Sequence, residues 1–499
     1  MGIAAFQQCI IPSCGATFDI SEVRSKCARC GNLLDVRYDW NRINVPTEMR
    51  FYDSRRGNIG FIFDRSGVWR FRELLAFVNI ENDQTFSRQI VSLDGAEGLT
   101  TPYHTSFVGK YVIGKIGART NGTFDVTPDA DLPRAERSFI NDNFYIQFEG
   151  VNPSGSFKDN GMTAAFTHAN IVGVNKAAVA STGNTSASVA AYARNSGILD
   201  CTIFIGEGKI AYGKLSQGLE HGAQTLQIAG DFDDAMKMVQ EVAQQTGIYI
   251  MNSVNAFRLE GQKTIMYRVL EGLNWQVPDW IVVPGGNLGN SSAFGKAFKE
   301  LYDLGLIKRI PRIAIVNSCG ADTLERFVNE RGLSWSGGQV DDALIESFYE
   351  EMDKEGRRAH TIASAIEINR PVNLKKALRT LEETKGLVCK VTDEEILDAK
   401  AVIGLNGLFG CEPASAASVA GAKQLYEKGL ITSDQIVVCI ATGHQLKDPI
   451  TTVGYHTFGI DDEQTERLRG YGVQKPSFSN KPIRMENDLD QVLSLLNKT

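Results

Sequence analysis

A lysine in a glycine- and serine-rich turn is the residue of this sequence best suited to covalent chemistry. Lys158 lies in NPSGSFKDNGM, residues 152–162, between the turn and the start of a predicted helix. There its ammonium would face the positive end of the helix dipole, which disfavours the charged form and lowers the pKa. A lowered pKa is what an amine nucleophile requires. Taken alone, Lys158 is best interpreted as a solvated turn lysine, and it is the other loops that favour the nucleophile.

Three further loops are rich in Gly, Ser, Thr and Asn and poor in carboxylates. They are STGNTSAS (181–188), PGGNLGNSSA (284–293) and ATGHQLKDP (441–449). Such loops present backbone N–H groups, which bind anions. The glycines at 285, 286 and 289 fit neither a Walker loop, because no GK[ST] follows, nor the GxGxxG fingerprint. NTP hydrolysis and NAD binding therefore lose support, while plain strand-to-helix turns stay open as the alternative.

Two more side chains could act on a ligand. Arg258 closes NSVNAFR, residues 252–258, just after the apolar run IYIM, and its guanidinium could clamp an anion with two hydrogen bonds. A surface salt bridge at a helix start is the alternative for Arg258. His444 lies beside a glycine, and we interpret it as a turn or orienting residue rather than a general base.

Four cysteines near the N-terminus follow a C-x4-C-x12-C-x2-C pattern that resembles a zinc ribbon: Cys9, Cys14, Cys27 and Cys30. Tetrahedral zinc takes four such ligands, so we predict a structural zinc ion; four reduced thiols without metal are the alternative. A catalytic zinc is not expected, because no ligand position would stay open. The other five cysteines lie singly in apolar runs and are predicted to be buried thiols, as in a protein of the reducing cytoplasm.

The elements that must position these loops alternate between strand and helix from about residue 143 onward. Each short β-branched or aromatic run is followed by a Gly/Ser/Asn turn and a helical pattern; the predicted strands are 144–149, 176–181, 201–207, 280–286 and 436–443. Nearly all-apolar strands in such an order predict parallel α/β sheets with helices on both faces. Ligands of these folds bind beyond the carboxyl ends of the strands, where the loops lie. Residues 321–385 are predicted to be mostly helical, and 460–499 a C-terminal extension with a last helix.

Composition excludes several classes of function. The chain has 499 residues with 52 Lys+Arg against 59 Asp+Glu, a formal charge of −7, and 43% hydrophobic residues. A mildly acidic globular chain without a basic run is not expected to bind nucleic acid. No stretch approaches the roughly 20 apolar residues of a membrane span, and no export signal opens the sequence, so we expect a cytoplasmic protein with no membrane partner.

Taken together and in order, SGSFKD, STGNTSAS, PGGNLGN and ATGHQLKDP resemble the fold-type II pyridoxal-phosphate enzymes, and most closely the threonine synthase family. The discriminating motifs are SGVWRFRELL (66–75), NSVNAFR, TIASAIEINRPVN (361–373) and EPASAAS (412–418). The resemblance covers most of residues 60–450. It implies an α/β fold of two parallel-sheet, three-layer α/β domains around a cleft, behind an N-terminal zinc-ribbon-like segment.

The domains implied by this resemblance are a ribbon-like segment at 1–40, a small domain at 150–247, and a large cofactor-binding domain at 41–149 with 248–499. Lys158 would hold pyridoxal 5′-phosphate covalently, with Phe157 beside it. Asn184 would bind the cofactor's phenolic oxygen, and Thr442 would meet its pyridine nitrogen. The cofactor phosphate would be held by Gly285, Gly286, Asn287, Gly289 and Asn290. The substrate's carboxylate and phosphate would be held by Ser181, Thr185, Asn252, Ser253 and Arg258.

The implied reaction converts O-phospho-L-homoserine and water into L-threonine and phosphate, catalysed by a homodimer. The partner would thus be a small phosphorylated amino acid. Cysteate synthase, which uses phosphoserine and sulfite, and threonine dehydratase or cysteine synthase share parts of this layout and stay open as alternatives. Arg258 favours a phosphorylated substrate but does not choose between phosphohomoserine and phosphoserine. The sequence departs from the family pattern at KDN (158–160), where KDR is common, and in DGAEGLTTPYH (94–104).

Overall fold

The structure is a computed structural model and describes residues 4–58, 60–120, 123–197, 200–206, 212–230 and 232–497. Its strands are β1 Ala5–Cys9, β2 Thr17–Asp19, β3 Leu34–Tyr38, β4 Pro102–His104, β5 Ile116–Thr120, β6 Thr123–Val126, β7 Phe144–Phe148, β8 Lys176–Ala180, β9 Asp200–Gly206, β10 Gln224–Ile228, β11 Tyr249–Ile250, β12 Trp280–Pro284, β13 Arg312–Ser318, β14 Leu387–Val391 and β15 Val437–Ala441. The runs predicted as strands therefore appear as β7, β8, β9, β12 and β15.

Its α-helices are α1 Asp53–Arg56, α2 Ile62–Arg65, α3 Asp83–Gln89, α4 Ser106–Val112, α5 Arg134–Ser138, α6 Lys158–Ile171, α7 Asn184–Ser196, α8 Tyr212–Glu220, α9 Phe232–Thr246, α10 Ala256–Gly272, α11 Gly289–Asp303, α12 Thr323–Glu325, α13 Asp342–Lys354, α14 Leu374–Glu383, α15 Asp393–Leu405, α16 Pro413–Glu427, α17 Pro449–His456, α18 Asp462–Arg469 and α19 Leu489–Leu496. Short 3-10 or π segments lie at Trp40–Arg42, Met49–Tyr52, Trp69–Leu74, Asp129–Asp131, Phe139–Asn143, Arg326–Glu330, Ser336–Gly338, Ser364–Ile366 and Gln445–Lys447. None of the helices in the described part of the chain is both long and apolar enough to cross a membrane.

A six-stranded sheet forms the larger core. Its strand order is β14-β13-β12-β15-β7-β4, and only β4 runs antiparallel. Because successive side chains point to opposite faces, Trp280 and Val282 pack against α4, α15 and α16, while Ile281 and Val283 pack against α10, α11 and α14. Both faces are covered, so the all-apolar strands are buried as the sequence predicts.

A second, four-stranded parallel sheet has the order β10-β9-β8-β11. Ala177 and Val179 face α6 and α7, whereas Ala178 and Ala180 face α9. The chain therefore contains two three-layer α/β units, which confirms the predicted fold class. The β5–β6 pair forms a separate two-stranded sheet.

The N-terminal segment is an antiparallel sheet of order β2-β1-β3 that docks on the helices of the larger unit. On β3, the buried Asp35 carboxylate forms ion pairs with Lys376 (3.0 Å) and Arg379 (2.7 Å) of α14. The Tyr38 hydroxyl donates to the Glu260 carboxylate of α10. This segment is thus attached to the same helices that pack under the larger sheet.

Two expectations need refinement. Residues 321–385 are only partly helical, because an irregular stretch separates α13 from α14 and carries the TIASAIEINRPVN motif. Four of the five isolated cysteines are buried as predicted, but Cys319 is exposed because it follows the end of β13 in a turn. The predicted C-terminal extension contains α18 and α19.

Candidate active site

The loops that the sequence singled out meet at the carboxyl ends of the parallel strands. The loops after β7 and β15 are joined directly: the Phe157 N–H donates to the Thr442 carbonyl (2.9 Å), and the His444 N–H donates to the Gly155 carbonyl (2.9 Å). Strands β7, β15 and β12 are neighbours in one parallel sheet, so the loop after β12 ends at the same edge.

Lys158 is the first residue of α6 and is half-buried. Its Nζ lies 4.4 Å from the centroid of the Phe157 ring. The next residue, Asp159, is fully buried and accepts hydrogen bonds from the Ser154 N–H and hydroxyl (both 2.6 Å) and from the Ser188 hydroxyl (2.5 Å). Burial raises the pKa of Asp159, and these hydrogen bonds oppose that rise. Asp159 thereby fixes the lysine turn against α7.

Asn184 and Thr442 are joined through the EPASAAS motif. The Asn184 amide donates to the Glu412 carboxylate (2.7 Å), and the Glu412 N–H donates to the Gly443 carbonyl (3.0 Å). The Thr442 hydroxyl lies 3.0 Å from the Ser415 hydroxyl. The four polar side chains are buried, so the predicted partners of the phenolic oxygen and the pyridine nitrogen share one buried network. The Asn184 Oδ1 is buried and has no hydrogen-bond partner among the described residues.

The loop after β12 and the start of α11 form a cradle of backbone N–H groups, residues 286–291. Leu288 adopts the left-handed conformation (φ 62°), and α11 begins at Gly289. The first hydrogen bond of this helix is donated by Ser292 to the Leu288 carbonyl (3.1 Å), so the N–H groups of residues 286–291 have no acceptor within the described structure. A Cβ on Gly286 would lie 3.0 Å from the Ile366 Cα, so little room is left for a side chain. A row of N–H groups at a helix N-terminus is a phosphate-binding arrangement.

Arg258 lies in the first turn of α10 and is the second candidate for binding an anion. Its side chain is 2% exposed, and its guanidinium donates to the Met251 carbonyl (3.0 Å). Among the residues described, its Nε has no hydrogen-bond partner and no carboxylate lies within ion-pair distance of the guanidinium. Burial lowers the pKa of Arg258 to about 10, so it stays charged at neutral pH. A buried cation without a counter-ion is costly, and a bound anion would offset that cost. The surface salt bridge considered as an alternative is excluded.

The remaining predicted substrate residues divide into two groups. The Asn252 amide binds both the N–H (3.0 Å) and the carbonyl (2.8 Å) of Ala180, and so extends the β11–β8 pairing. The Ser181 hydroxyl accepts from the Gly183 N–H (3.1 Å). These two side chains hold the loops in shape, whereas Thr185 and Ser253 are half-buried at the starts of the α7 and α10 region.

A buried ion pair beneath the lysine turn was not predicted from the sequence. The Arg268 guanidinium lies 2.6 Å from the Glu149 carboxylate, and both side chains are fully buried. Glu149 also accepts a hydrogen bond from the Asn160 amide (2.8 Å). Asn160 is the residue of KDN that stands where the family commonly has the Arg of KDR. Burial raises the pKa of Glu149, but Arg268 and the amide donors more than offset this, and the pKa is lowered. A carboxylate ending the apolar run FYIQFE was the available signal.

His444 caps a turn, as the sequence indicates. Its Nδ1 accepts from the Leu446 N–H (3.1 Å) at the start of the 3-10 turn Gln445–Lys447. Burial, with the charge of Lys447, lowers the pKa of His444. The bond to Nδ1 holds the imidazole ring in the turn, which fits the orienting role expected from the sequence.

The four N-terminal cysteines come together. All four Sγ atoms lie within 4.8 Å of one another, with 3.4 Å between Cys9 and Cys30 and 3.7 Å between Cys14 and Cys27. A tetrahedral zinc site with Zn–S bonds of about 2.3 Å has S···S edges of about 3.8 Å. The thiol arrangement therefore fits such an ion.

A family profile and individual relatives of known function point to the same family. A sequence profile of the family described as "Pyridoxal-phosphate dependent enzyme" (PALP) matches residues 122–443. The threonine synthase of Methanocaldococcus jannaschii is 38% identical over 89% of this chain and 93% of its own length, and that of Methanosarcina acetivorans is 37% identical over 88% and 92%. Threonine synthase 2 of Arabidopsis thaliana, a chloroplastic protein, is 30% identical over 97% of this chain and 83% of its own length.

Among solved structures, a fungal L-serine ammonia-lyase from Rhizomucor miehei superposes with a TM-score of 0.52 at 17% identity, covering 69% of this chain and 93% of that one. That likeness concerns the fold alone. The profile match covers more than half of the chain, and the archaeal relatives align along nearly their whole length. The chain therefore belongs to the pyridoxal-phosphate dependent enzymes and, within them, to the threonine synthase family.

Proposed function

We propose that this protein converts O-phospho-L-homoserine and water into L-threonine and phosphate. The observation that carries the proposal is Arg258, a buried cation with no carboxylate partner among the described residues, next to a separate phosphate cradle at α11. Two anion sites match a phosphorylated cofactor and a phosphorylated substrate. The names of the relatives at 37–38% identity support the same reaction.

The residues present fit pyridoxal 5′-phosphate. The acceptorless N–H groups of residues 286–291 fit its phosphate, and the orphaned Asn184 Oδ1 and the Thr442–Ser415 hydroxyl pair lie in one buried network beside the lysine turn. Gly285 and Gly286 leave little room for a side chain, since a Cβ on Gly285 would lie 2.9 Å from the Asn317 amide nitrogen. When bound, the cofactor supplies an electron sink that stabilises negative charge on the substrate carbons.

Lys158 has two tasks in this proposal. Its amine holds the cofactor before substrate arrives, and the amine released by the substrate then moves protons at Cα and Cβ. The Asp159 clamp and the Phe157–Thr442 hydrogen bond keep the lysine turn in place during both tasks. A proton carrier fixed near its target works by proximity.

Arg258 and the loop at Asn252 and Ser253 bind the substrate phosphate. Charge grows on this phosphate as it leaves Cγ, and the buried guanidinium stabilises the growing charge better than it stabilises the bound substrate. Water then adds at Cβ. An interaction that strengthens along the reaction raises the rate rather than only the affinity.

We also propose the domain division 1–40, 150–247, and 41–149 with 248–499, with the two α/β units closing over the substrate. The hydrogen bond from Asn184 to Glu412 supports this, because it links α7 of the smaller unit to α16 of the larger one. Closure would exclude water until the addition step. Small-angle X-ray scattering with and without substrate tests the closure of the two units. Analytical ultracentrifugation tests the predicted homodimer.

For the N-terminal cluster we propose a structural Zn²⁺ held by Cys9, Cys14, Cys27 and Cys30. The support is the convergence of four thiols at spacings that a tetrahedral site requires. Four protein ligands leave no position for a substrate, so the ion would hold the ribbon together and take no part in the reaction.

Phosphate release from O-phospho-L-homoserine, with threonine quantified in the same reaction, tests the function. We expect equal amounts of both products, and loss of the visible cofactor absorbance and of turnover in Lys158→Ala. Lys299→Ala, an exposed lysine in α11, is the control and should behave as wild type. Turnover of phosphoserine with sulfite alone would overturn the substrate, and absence of a cofactor band in the wild type would overturn the whole proposal.

A further inference from the structure

Asn373 lies between the two anion sites and touches both. It is fully buried at the start of α14. Its amide nitrogen donates to the Ser253 carbonyl (3.1 Å) and to the Asn287 carbonyl (3.3 Å), and its backbone N–H donates to the same Asn287 carbonyl (3.2 Å). Ser253 belongs to the Arg258 loop, and Asn287 belongs to the cradle at α11. One side chain therefore bridges the two sites.

The partners determine how the Asn373 amide is oriented. Both are carbonyl oxygens, which only accept, so the NH₂ group must face them. The Oδ1 then faces the other way, buried and with no donor among the described residues. A buried amide that leaves its oxygen unsatisfied is destabilising, which points to a specific requirement for the two donated bonds.

That requirement follows from the charge of the ligands. A carbonyl oxygen is the negative end of a peptide dipole and repels a phosphate. Asn373 binds the carbonyls of Ser253 and Asn287 and thereby turns them away from the anions. In a trans peptide the N–H points opposite to the C=O, so the N–H groups of Val254 and Leu288 point away from Asn373. Neither of these N–H groups has an acceptor in the described structure.

We propose that Asn373 is a positioning residue that sets the two anion sites together, so that the cofactor phosphate and the substrate phosphate bind cooperatively. This inference rests on the proposed function, because it assigns the two sites to those two phosphates. Coupled sites affect each other equally: filling the α11 cradle should raise affinity at Arg258, and the reverse. Truncating Asn373 should weaken both sites and uncouple them.

The test compares Asn373→Ala and Asn373→Asp with the same changes at Asn143. Asn143 is half-buried and donates to the Ser433 carbonyl (3.2 Å) at the opposite end of β7, so it controls for the loss of a similar hydrogen bond. Three constants are measured: the KM of O-phospho-L-homoserine, the inhibition constant of inorganic phosphate, and the dissociation constant of pyridoxal phosphate added to cofactor-free protein.

For both Asn373 variants we expect all three constants to rise about tenfold or more, with kcat at saturation changed far less. Asn373→Asp keeps the shape of the side chain but replaces the N–H donor by an acceptor. Its three constants should therefore rise more than those of Asn373→Ala. Asn143 variants should match wild type. If Asn373 only fills space, the three constants of Asn373→Asp should equal those of the wild type, and that result would overturn the proposal. A change at only one of the two sites would also overturn it.

Two provisions keep the outcome decisive. If Asn373→Ala does not fold, Asn373→Ser keeps one donor and is expected to lie between wild type and Asp. If the wild type fails to turn over phosphohomoserine, the proposed function fails, but the binding of cofactor and of inorganic phosphate still tests Asn373 without turnover.

Discussion

Gly261 of α10 lies directly against the backbone carbonyl of Asn160 in α6, so closely that a Cβ on Gly261 would be 1.8 Å from that oxygen. The contact is reciprocal, since a Cβ on Gly161 would lie 2.8 Å from the Arg258 carbonyl. Helix α6 begins with Lys158, and the first turn of α10 carries Arg258. The glycine crossing therefore sets the distance between the helix start that carries Lys158 and the helix turn that carries Arg258.

Gly261→Ala should separate these two helices. We expect a loss of about 1–3 kcal/mol in the free energy of unfolding, as for other overpacked cores, together with a fall in kcat/KM. Gly404→Ala is the matched control, because Gly404 lies in α15 and an added methyl group there would meet nothing within 4 Å, so alanine should stabilise by up to about 1 kcal/mol. Equal effects of the two substitutions on activity would contradict the assignment.

Arg258→Met should change activity and stability in opposite directions. Losing the guanidinium should lower kcat/KM for the phosphorylated substrate by about 10²–10³. The free energy of unfolding should equal or exceed that of the wild type, because an unpaired buried charge is removed. Arg70→Met is the control: Arg70 is equally buried but paired with Glu271 (2.6 Å), so its loss should destabilise by about 3–5 kcal/mol. Destabilisation of the same size at Arg258 would show a structural role instead.

His168 should make stability depend on pH. Its Nε2 lies 2.7 Å from the Ile20 carbonyl, so that nitrogen carries the proton, and its Nδ1 lies 2.7 Å from the Tyr249 hydroxyl. Burial lowers the pKa of His168 to about 4, only partly offset by the Ile20 carbonyl. The unfolded chain, with a pKa near 6.5, therefore takes up the proton first as the pH falls.

Its contribution to stability is full above about pH 6.5 and is lost as the pH falls toward 4, by at most about 1.4 kcal/mol per pH unit. Denaturant unfolding at a series of pH values measures this slope. His168→Gln retains a donor toward Ile20 but cannot titrate, so its slope should be shallower by that amount. An identical slope in both proteins would refute the assignment.

Removal of metal from the cysteine cluster should weaken substrate binding. The ribbon is attached to α14 through Asp35 and to α10 through Tyr38. Asn373 lies at the start of α14, and Arg258 lies in α10. Chelation, or Cys14→Ser, should lower the unfolding midpoint and raise the KM for phosphohomoserine more than it lowers kcat. Metal content by mass spectrometry accompanies the kinetics.

Cys319→Ser serves as the control for this prediction, because Cys319 is exposed and outside the cluster. It should leave metal content, stability and KM unchanged. Purified protein without zinc, combined with a Cys14→Ser variant that matches wild type, would contradict the structural zinc proposal.

The features that could be predicted from the sequence are those that are local along the chain. A strand, its turn and the next helix are contiguous, so hydrophobic runs and Gly/Ser/Asn clusters sufficed for β7, β8, β12 and β15 and for the loops that follow them. Lys158 and Arg258 stood out because a charged residue beside such a loop is chemically distinctive. The four cysteines were predicted to converge from their spacing alone.

The contacts of the polar residues between these loops could not be predicted, because they depend on how distant elements pack. Asn252 is predicted to be a substrate ligand, and the structure adds that its amide pairs with the backbone of Ala180, 72 residues away. Asn373 reaches Asn287 and Ser253 across 86 and 120 residues, and Arg268 reaches Glu149 across 119. An amide or a carboxylate is versatile, and its partner is set by which distant elements pack beside it. That packing depends on helix crossings such as the one at Gly261, which no local pattern encodes.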